Sequence, residues 1–259
     1  MSYADLSQAR LYYVLDGPAD APVLVLSNSL GSSADMWAPQ IPELARHFRV
    51  LRYDTRGHGL SSAPAGDYTF KQLAGDVAEL LDHLKIARAH FCGLSMGGPT
   101  GLQFALDYPA RIDRLVLSNT AARIGGVDGW NQRIDAVKRD TLHAMAPALI
   151  ERWVTAQWRE ANPGLAQVLV DMMRRHSDAG YAGNCAALRD GDLREQVGRI
   201  AAPTLVISGT HDVSTTPQQG RELAAAIPGA RYEELDAAHI SNWEQPREYA
   251  RLLVDFLKG

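Results

Sequence analysis

The chain has 259 residues and a formal net charge of −4, with 26 Lys and Arg residues against 30 Asp and Glu. This balance gives no basic surface for nucleic acid, and the length suits one large domain with a buried core. No apolar segment approaches the roughly 20 residues that span a bilayer, and the first residues lack a signal-peptide pattern. Two cysteines are too few for a disulfide framework. We therefore expect a soluble, cytoplasmic protein that binds neither nucleic acid nor membranes.

Strands and helices alternate along the chain, which predicts a mostly parallel sheet covered by helices on both faces. The segments at 3–13 and 23–27 are expected to form an opening antiparallel pair. Further strands are predicted at 50–53, 89–92, 115–118, 204–207 and 231–235. Helices outside the central part of the chain are predicted at 37–47, 70–84, 99–108, 217–227 and 248–257.

A long interruption separates the strand at 115–118 from the strand at 204–207, where one short crossover would suffice. We expect a helical cap at 121–200, inserted between two parts of a core at 1–120 and 201–259. The helices of this cap are predicted at about 130–144, 148–158, 164–176 and 181–188. An insertion at this point lies above the carboxyl ends of the strands, where open α/β sheets bind ligands.

Residues 93–97 have the pattern G-x-S-x-G and lie between a predicted strand and a predicted helix. In this context the backbone turns sharply and presents the serine hydroxyl at the end of the sheet. Glycines two residues before and after Ser95 avoid a Cβ that would crowd the neighbouring strand or helix. The pattern predicts that Ser95 is a nucleophile. The alternative is a glycine-rich structural turn with an incidental serine.

Such a nucleophile needs an acid and a histidine, which follow it in the chain order serine, acid, histidine. Asp212 comes shortly after the predicted strand at 204–207, and His239 is the one histidine of eight that lies beyond it. The strand at 115–118 runs into Asn119 and Thr120 and offers no carboxylate. The order therefore selects Asp212 and His239. The alternative is that Asp212 caps a turn and His239 is a hydrogen-bonded loop histidine.

Two further segments complete a pattern that resembles the α/β-hydrolase superfamily over essentially the whole chain. Residues 54–61 match D-x-R-G-x-G-x-S, a fingerprint of its epoxide-hydrolase and lactonase-like branch. Residues 27–31 form the second segment, at the end of the third strand. The resemblance implies an α/β-hydrolase fold, with a mostly parallel sheet flanked by helices and a helical cap inserted after the sixth strand. It also implies that Asp54 and Arg56 form a pair that braces a loop and takes no part in catalysis.

Within the superfamily the chain is similar to the 3-oxoadipate enol-lactonases. Asn28 and Ser29 stand where most members carry His-Gly, and the segments 130–134 and 151–153 also look like that family. The similarity implies opening of a small carboxylated enol-lactone to 3-oxoadipate in the degradation of aromatic compounds, without a metal or organic cofactor. A broad carboxylesterase, a carbon–carbon bond hydrolase and a non-catalytic small-molecule receptor stay open as alternatives.

The expected chemistry gives each candidate residue a role. His239 takes the proton of Ser95, and Asp212 holds the imidazole in the correct tautomer. The oxyanion that forms needs two backbone N–H donors. One belongs to Met96, directly after the nucleophile, and matching to the family places the second on Leu30.

Three cap residues are expected to bind substrate. Trp130 and Trp153 would form apolar walls, and Arg133, on the same helix face as Trp130, would pair with a carboxylate. The alternative for Arg133 is a salt bridge between cap and core. The expected partner is a small lactone or ester, and the expected assembly is a monomer or a small homo-oligomer.

Overall fold

The structure is a computed structural model that describes residues 2–259. The strands of this part of the chain are β1 (Ser2–Asp5), β2 (Arg10–Asp16), β3 (Val23–Ser27), β4 (Arg49–Tyr53), β5 (Ala89–Leu94), β6 (Ile112–Ser118), β7 (Thr204–Gly209) and β8 (Arg231–Leu235). They form one sheet in the order β1-β2-β4-β3-β5-β6-β7-β8. All neighbours from β4 to β8 are parallel, so the predicted mostly parallel sheet is confirmed.

Helices cover the sheet on both faces. The helices of residues 2–259 are α1 (Ile41–Leu44), α2 (Phe70–His83), α3 (Gly97–Asp107), α4 (Val127–Ile150), α5 (Ala156–Ala161), α6 (Pro163–Arg174), α7 (Asp178–Asp190), α8 (Pro217–Ala226), α9 (Ser241–Glu244) and α10 (Pro246–Lys258). The start of α2 is fixed by a capping box, in which the Thr69 hydroxyl accepts from the Gln72 N–H and the Gln72 side chain accepts from the Thr69 N–H.

The expected antiparallel pairing of segments 3–13 and 23–27 is wrong. The antiparallel pair is instead β1 with β2, and β2 continues antiparallel to β4. Strand β3 lies between β4 and β5 and is parallel to both. Its apolar run explains this position, because a strand that is covered on both faces belongs inside a parallel sheet and not at its edge.

Two predicted helices do not form as expected. Segment 37–47 begins at the last residue of a 3₁₀ turn, Ala34–Trp37, and contains only the short α1, because Pro39 and Pro42 have no N–H to continue a helix. Segment 148–158 is broken, since α4 ends at Ile150 and α5 begins only after Thr155, whose hydroxyl accepts from the Trp158 N–H. Trp153 and Val154, which lie between these helices, are buried, so apolar spacing continued where the helix did not.

Alternate residues of the central strands enter two separate apolar clusters. Leu24 and Leu26 of β3 face the cluster that contains α10 and the helices between β6 and β7, whereas Val25 faces α2 and α3. Helix α4 also changes direction at Thr141, where φ is +65°. None of the helices in residues 2–259 combines the length and apolar character needed to span a bilayer.

In the D-x-R-G-x-G-x-S segment, Asp54 and Arg56 do not pair with each other as expected, and each binds a different partner. Asp54 accepts hydrogen bonds from the backbone N–H groups of Ala34 (2.7 Å) and Leu60 (2.8 Å). Arg56 pairs with Asp76 of α2, with 2.6 Å between Nε and Oδ2, and not with Asp54. Both members of this ion pair are buried, so the segment is attached to α2 as well as to its own loop.

Candidate active site

Ser95 lies in the sharp turn between β5 and α3, as the G-x-S-x-G pattern predicts. Its φ of +56° lies in the left-handed region that a residue with a Cβ adopts at a cost. The Ser95 N–H donates to the Ser118 carbonyl of β6 at 2.9 Å, which helps to hold this conformation. A Cβ on Gly93 would collide with the Gly97 carbonyl oxygen, and a Cβ on Gly97 would collide with the Ser27 carbonyl oxygen. The turn therefore requires both glycines.

The loops after β7 and β8 bring Asp212 and His239 to this turn. The Ser95 hydroxyl donates to His239 Nε2 at 2.8 Å, and His239 Nδ1 donates to Asp212 Oδ2 at 2.7 Å. The three residues are only 7%, 3% and 4% exposed, in chain order. This geometry allows a proton to pass from Ser95 to His239. The charged imidazole would then lie against the buried carboxylate of Asp212.

The Asp212 carboxylate is fully hydrogen-bonded. Its Oδ1 accepts from the N–H groups of Ser214 (2.8 Å) and Thr215 (3.0 Å), and its Oδ2 accepts from the Thr215 hydroxyl (2.8 Å) and the Asn119 amide (3.2 Å). Burial by itself raises the pKa of Asp212, but the interactions with His239 and Thr215 outweigh it and lower the pKa below its usual value. The acid is thus held ionised and in one orientation.

Leu30 and Met96 lie where the two oxyanion donors are expected. Leu30 follows β3, and Met96 is the N-cap residue of α3, directly after Ser95. Within residues 2–259 neither backbone N–H donates to a protein acceptor. Leu30 and Ser95 also line the same pocket. Both groups are therefore available to a ligand oxygen, and their role stays a prediction.

A pocket of about 470 Å³ opens above Ser95 and His239. The three residues that the sequence predicts to bind substrate all line it, namely Trp130, Arg133 and Trp153. The Trp130 indole N–H donates to the Ile124 carbonyl at 2.6 Å, which fixes the ring against the segment that enters α4. The region between β6 and β7 thus contributes both apolar walls and a cation to the pocket.

Arg133 differs from several other arginines of this helical region. Its Nη1 donates to the Tyr181 hydroxyl at 3.2 Å, and within residues 2–259 it forms no salt bridge. Four neighbouring arginines do pair with carboxylates: Arg123 with Asp192, Arg139 with Asp140, Arg174 with Asp171 and Arg189 with Asp67. The expected alternative, a cap-to-core salt bridge of Arg133, is not formed in the described part of the chain.

Several site residues were not identified from the sequence. Arg152 also lines the pocket. Asn119 follows β6 where some members of the fold place the acid, so a polar residue at that strand end was an available signal. Glu244 has no motif, yet it accepts from the Thr155 hydroxyl at 2.6 Å and from the Ala238 N–H at 2.7 Å, which links the helical region to the loop of His239. In residues 2–259 no three His, Cys, Asp or Glu side chains are grouped to bind a metal ion.

Known proteins match this architecture over nearly the full chain. Residues 22–246 match the model of the α/β-hydrolase fold family. A crystal structure of the enol-lactonase from Burkholderia xenovorans superposes with a TM-score of 0.98 at 52% identity, with both chains covered completely. The 3-oxoadipate enol-lactonase 2 of Acinetobacter baylyi is 43% identical over 96% of this chain and 93% of its own length.

A third relative carries a different activity in its name. A Pseudomonas savastanoi protein, RutD, whose name describes a carbamate hydrolase, is 35% identical over 93% of this chain and 95% of its own length. The similarity therefore extends to more than one reaction on the same fold. With the fold, the match of residues 22–246 and these relatives, the chain belongs to the α/β-hydrolase family and is a hydrolase similar to the enol-lactonases.

Proposed function

We propose that this protein hydrolyses a small carboxylated enol-lactone through an acyl-enzyme on Ser95. One observation carries the catalytic part, the unbroken hydrogen-bonded series from the Ser95 hydroxyl through His239 to Asp212 at the base of a pocket. A serine hydroxyl is a weak nucleophile unless a base removes its proton as it attacks. The spacing of 2.8 Å between Ser95 Oγ and His239 Nε2 meets that requirement.

In the first step Ser95 Oγ bonds to the lactone carbonyl carbon while His239 Nε2 takes the hydroxyl proton. The carbonyl oxygen becomes an oxyanion, which accepts hydrogen bonds from the N–H groups of Leu30 and Met96. The intermediate then collapses and breaks the ring C–O bond. His239 returns the proton to the leaving enol oxygen, and the enol converts to the ketone.

In the second step water attacks the acyl-enzyme. His239 removes one proton from the water, and the same two N–H groups stabilise the second oxyanion. Collapse breaks the bond to Ser95 Oγ, which recovers its proton from His239. The product is a ring-opened keto acid with a new carboxylate beside the one that the substrate already carried.

The substrate class rests on the pocket wall and on the relatives. A carboxylate is costly to remove from water unless a charged partner receives it, and arginine provides a planar fork for this purpose. In residues 2–259 the Arg133 guanidinium forms no salt bridge, and it lines the same pocket as Trp130 and Trp153. Together with relatives named as enol-lactonases, this favours 3-oxoadipate enol-lactone, a compound of aromatic degradation. We further propose that residues 121–200 act as a cap that closes the pocket.

Carbamate hydrolysis is the second candidate, because relatives such as the Pseudomonas savastanoi protein carry that activity in their name. The test compares kcat/KM for 3-oxoadipate enol-lactone, a neutral ester of similar size and a small carbamate. We expect kcat/KM for the enol-lactone to exceed that for each of the other two substrates by at least about 100-fold. One charge-assisted hydrogen bond and the fit of the lactone ring in the pocket would together provide this difference. A preference for the neutral ester would favour a general esterase, and a preference for the carbamate would replace the proposed substrate.

A further inference from the structure

A buried histidine outside the Ser95–His239–Asp212 series contacts the loop that carries Leu30. His58 lies in the loop after β4 and is 1% exposed. Its Nε2 accepts a hydrogen bond of 2.8 Å from the backbone N–H of Gly31, the residue after Leu30. Gly31 has φ +78°, in the left-handed region that favours glycine.

The hydrogen bonds of His58 define its tautomer. Because Nε2 accepts, the ring proton is on Nδ1, which faces the Arg56 carbonyl. The Asn184 amide, 3.2 Å from Nδ1, donates to the same carbonyl at 2.8 Å. Burial lowers the pKa of His58 to about 4. The ring is therefore neutral near pH 7, and its Nε2 lone pair is available to Gly31.

A second histidine packs against this ring. His176, which follows α6, has its ring centroid 4.8 Å from that of His58. Its Nδ1 accepts from the Gly59 N–H at 2.7 Å, so it is attached to the residue next to His58. Asn184 of α7 and His176 thus both come from the region between β6 and β7, and together they restrict the orientation of the His58 ring.

The peptide that carries the Leu30 N–H is fixed from its other side. The Ser29 carbonyl belongs to the same planar unit, and it accepts from the Ser32 N–H (3.1 Å) and the Ser32 hydroxyl (2.8 Å). In a trans peptide the N–H points opposite to the carbonyl, so the Leu30 N–H points out of this loop turn. The following peptide unit, between Leu30 and Gly31, is the one that His58 holds.

We propose that His58 is a positioning residue for the oxyanion hole, which it aligns by accepting the hydrogen bond of the Gly31 N–H. The inference rests on the proposed function, in which the Leu30 N–H stabilises the oxyanion. Loss of the acceptor frees the Leu30–Gly31 unit to rotate, and the donor on Leu30 then spends less time in the productive orientation. The effect falls on the transition state, because His58 itself does not line the pocket.

The test uses variants of the full chain that differ in acceptor capacity. His58→Phe and His58→Leu have no acceptor, whereas the Oε1 atom of His58→Gln can accept from Gly31. His90→Phe is the matched control, since His90 is also buried but lies at the start of β5 and does not line the pocket. Each folded variant is assayed for kcat and KM on the enol-lactone and an activated ester, and for Ki of an alkylboronic acid, which forms a tetrahedral adduct on a serine.

Complete loss of an oxyanion donor costs about 10²- to 10³-fold in kcat, so a misaligned donor should cost about 10- to 50-fold. We expect this loss in His58→Phe and His58→Leu, with KM within about twofold and a parallel rise in the boronic acid Ki. His58→Gln should recover kcat to within about threefold of wild type, and His90→Phe should retain it.

The proposal is overturned if a folded non-acceptor variant keeps wild-type kcat, if KM alone changes, or if His58→Gln is as impaired as His58→Phe. If one non-acceptor variant does not fold, the other and His58→Gln still decide the question. Ser95→Ala separates this proposal from the proposed function. Turnover by Ser95→Ala would refute the serine mechanism itself, whereas a silent His58 series with inactive Ser95→Ala refutes only the positioning role.

Discussion

Replacing Arg133 by glutamine should separate recognition of the substrate carboxylate from catalysis. The guanidinium lines the pocket and is held by the Tyr181 hydroxyl at 3.2 Å, and no carboxylate in residues 2–259 neutralises it. A hydrogen bond to a charged group contributes about 1.5–3 kcal/mol, so its loss should lower kcat/KM for the carboxylated lactone about 10- to 150-fold. Glutamine can keep a contact with Tyr181, which limits the effect on stability.

The assay compares the lactone with a neutral ester in wild type, Arg133→Gln and Arg174→Gln. Arg174 is the matched control, because it belongs to the same helical region but pairs with Asp171 and does not line the pocket. We expect Arg133→Gln to lose activity on the lactone selectively and Arg174→Gln to lose it on neither substrate. An equal loss on both substrates, accompanied by a lower Tm, would refute the recognition role and make Arg133 a structural residue.

Three further predictions concern the supporting network. Asn119→Ala removes a donor to Asp212 and leaves buried partners unsatisfied, so urea unfolding should show a loss of about 1–3 kcal/mol and kcat should fall; unchanged values would contradict the network. Asp76→Ala leaves the buried Arg56 charge unpaired and should lower the free energy of unfolding by about 3–5 kcal/mol, a loss that a wild-type Tm would exclude. The pKa of His58 is about 6.5 in the unfolded chain and about 4 in the folded chain, so the unfolded chain binds the proton first as the pH falls. The free energy of unfolding should therefore decrease between pH 6.5 and pH 4, by about 3 kcal/mol for this group. His58→Gln should therefore lose less Tm than wild type between pH 7 and pH 5, and equal losses would refute this assignment.

The parts of the molecule that follow from local sequence were predictable. The turn at Ser95 needs two glycines within five residues, and chain order then left one histidine beyond Asp212. The capping signal at Thr69 and the apolar spacing of α2 are equally local. These features required no knowledge of which distant segments meet.

The features that were missed depend on distant contacts. Asn119 meets Asp212 across 93 positions in the chain, and His176 reaches Gly59 across 117. The left-handed Thr141 inside α4 has no adjacent glycine or proline, and the proline of this helix, Pro147, comes only six residues later. The edge position of the first hairpin likewise depends on β4 pairing with both β2 and β3. Apolar spacing indicates which residues are buried, and tertiary contacts can bury residues outside a helix. For this reason the spacing predicted a helix through Trp153, where the chain turns.

The central claim, a covalent reaction on Ser95, is tested most directly by the turnover of Ser95→Ala on 3-oxoadipate enol-lactone. The Ser95 hydroxyl donates a hydrogen bond to His239 Nε2 at 2.8 Å, and replacement by alanine removes this hydroxyl with little change in volume. We predict a fall in kcat of roughly 10⁴- to 10⁶-fold with a retained fold. Turnover of the folded variant close to the wild-type rate would contradict the account.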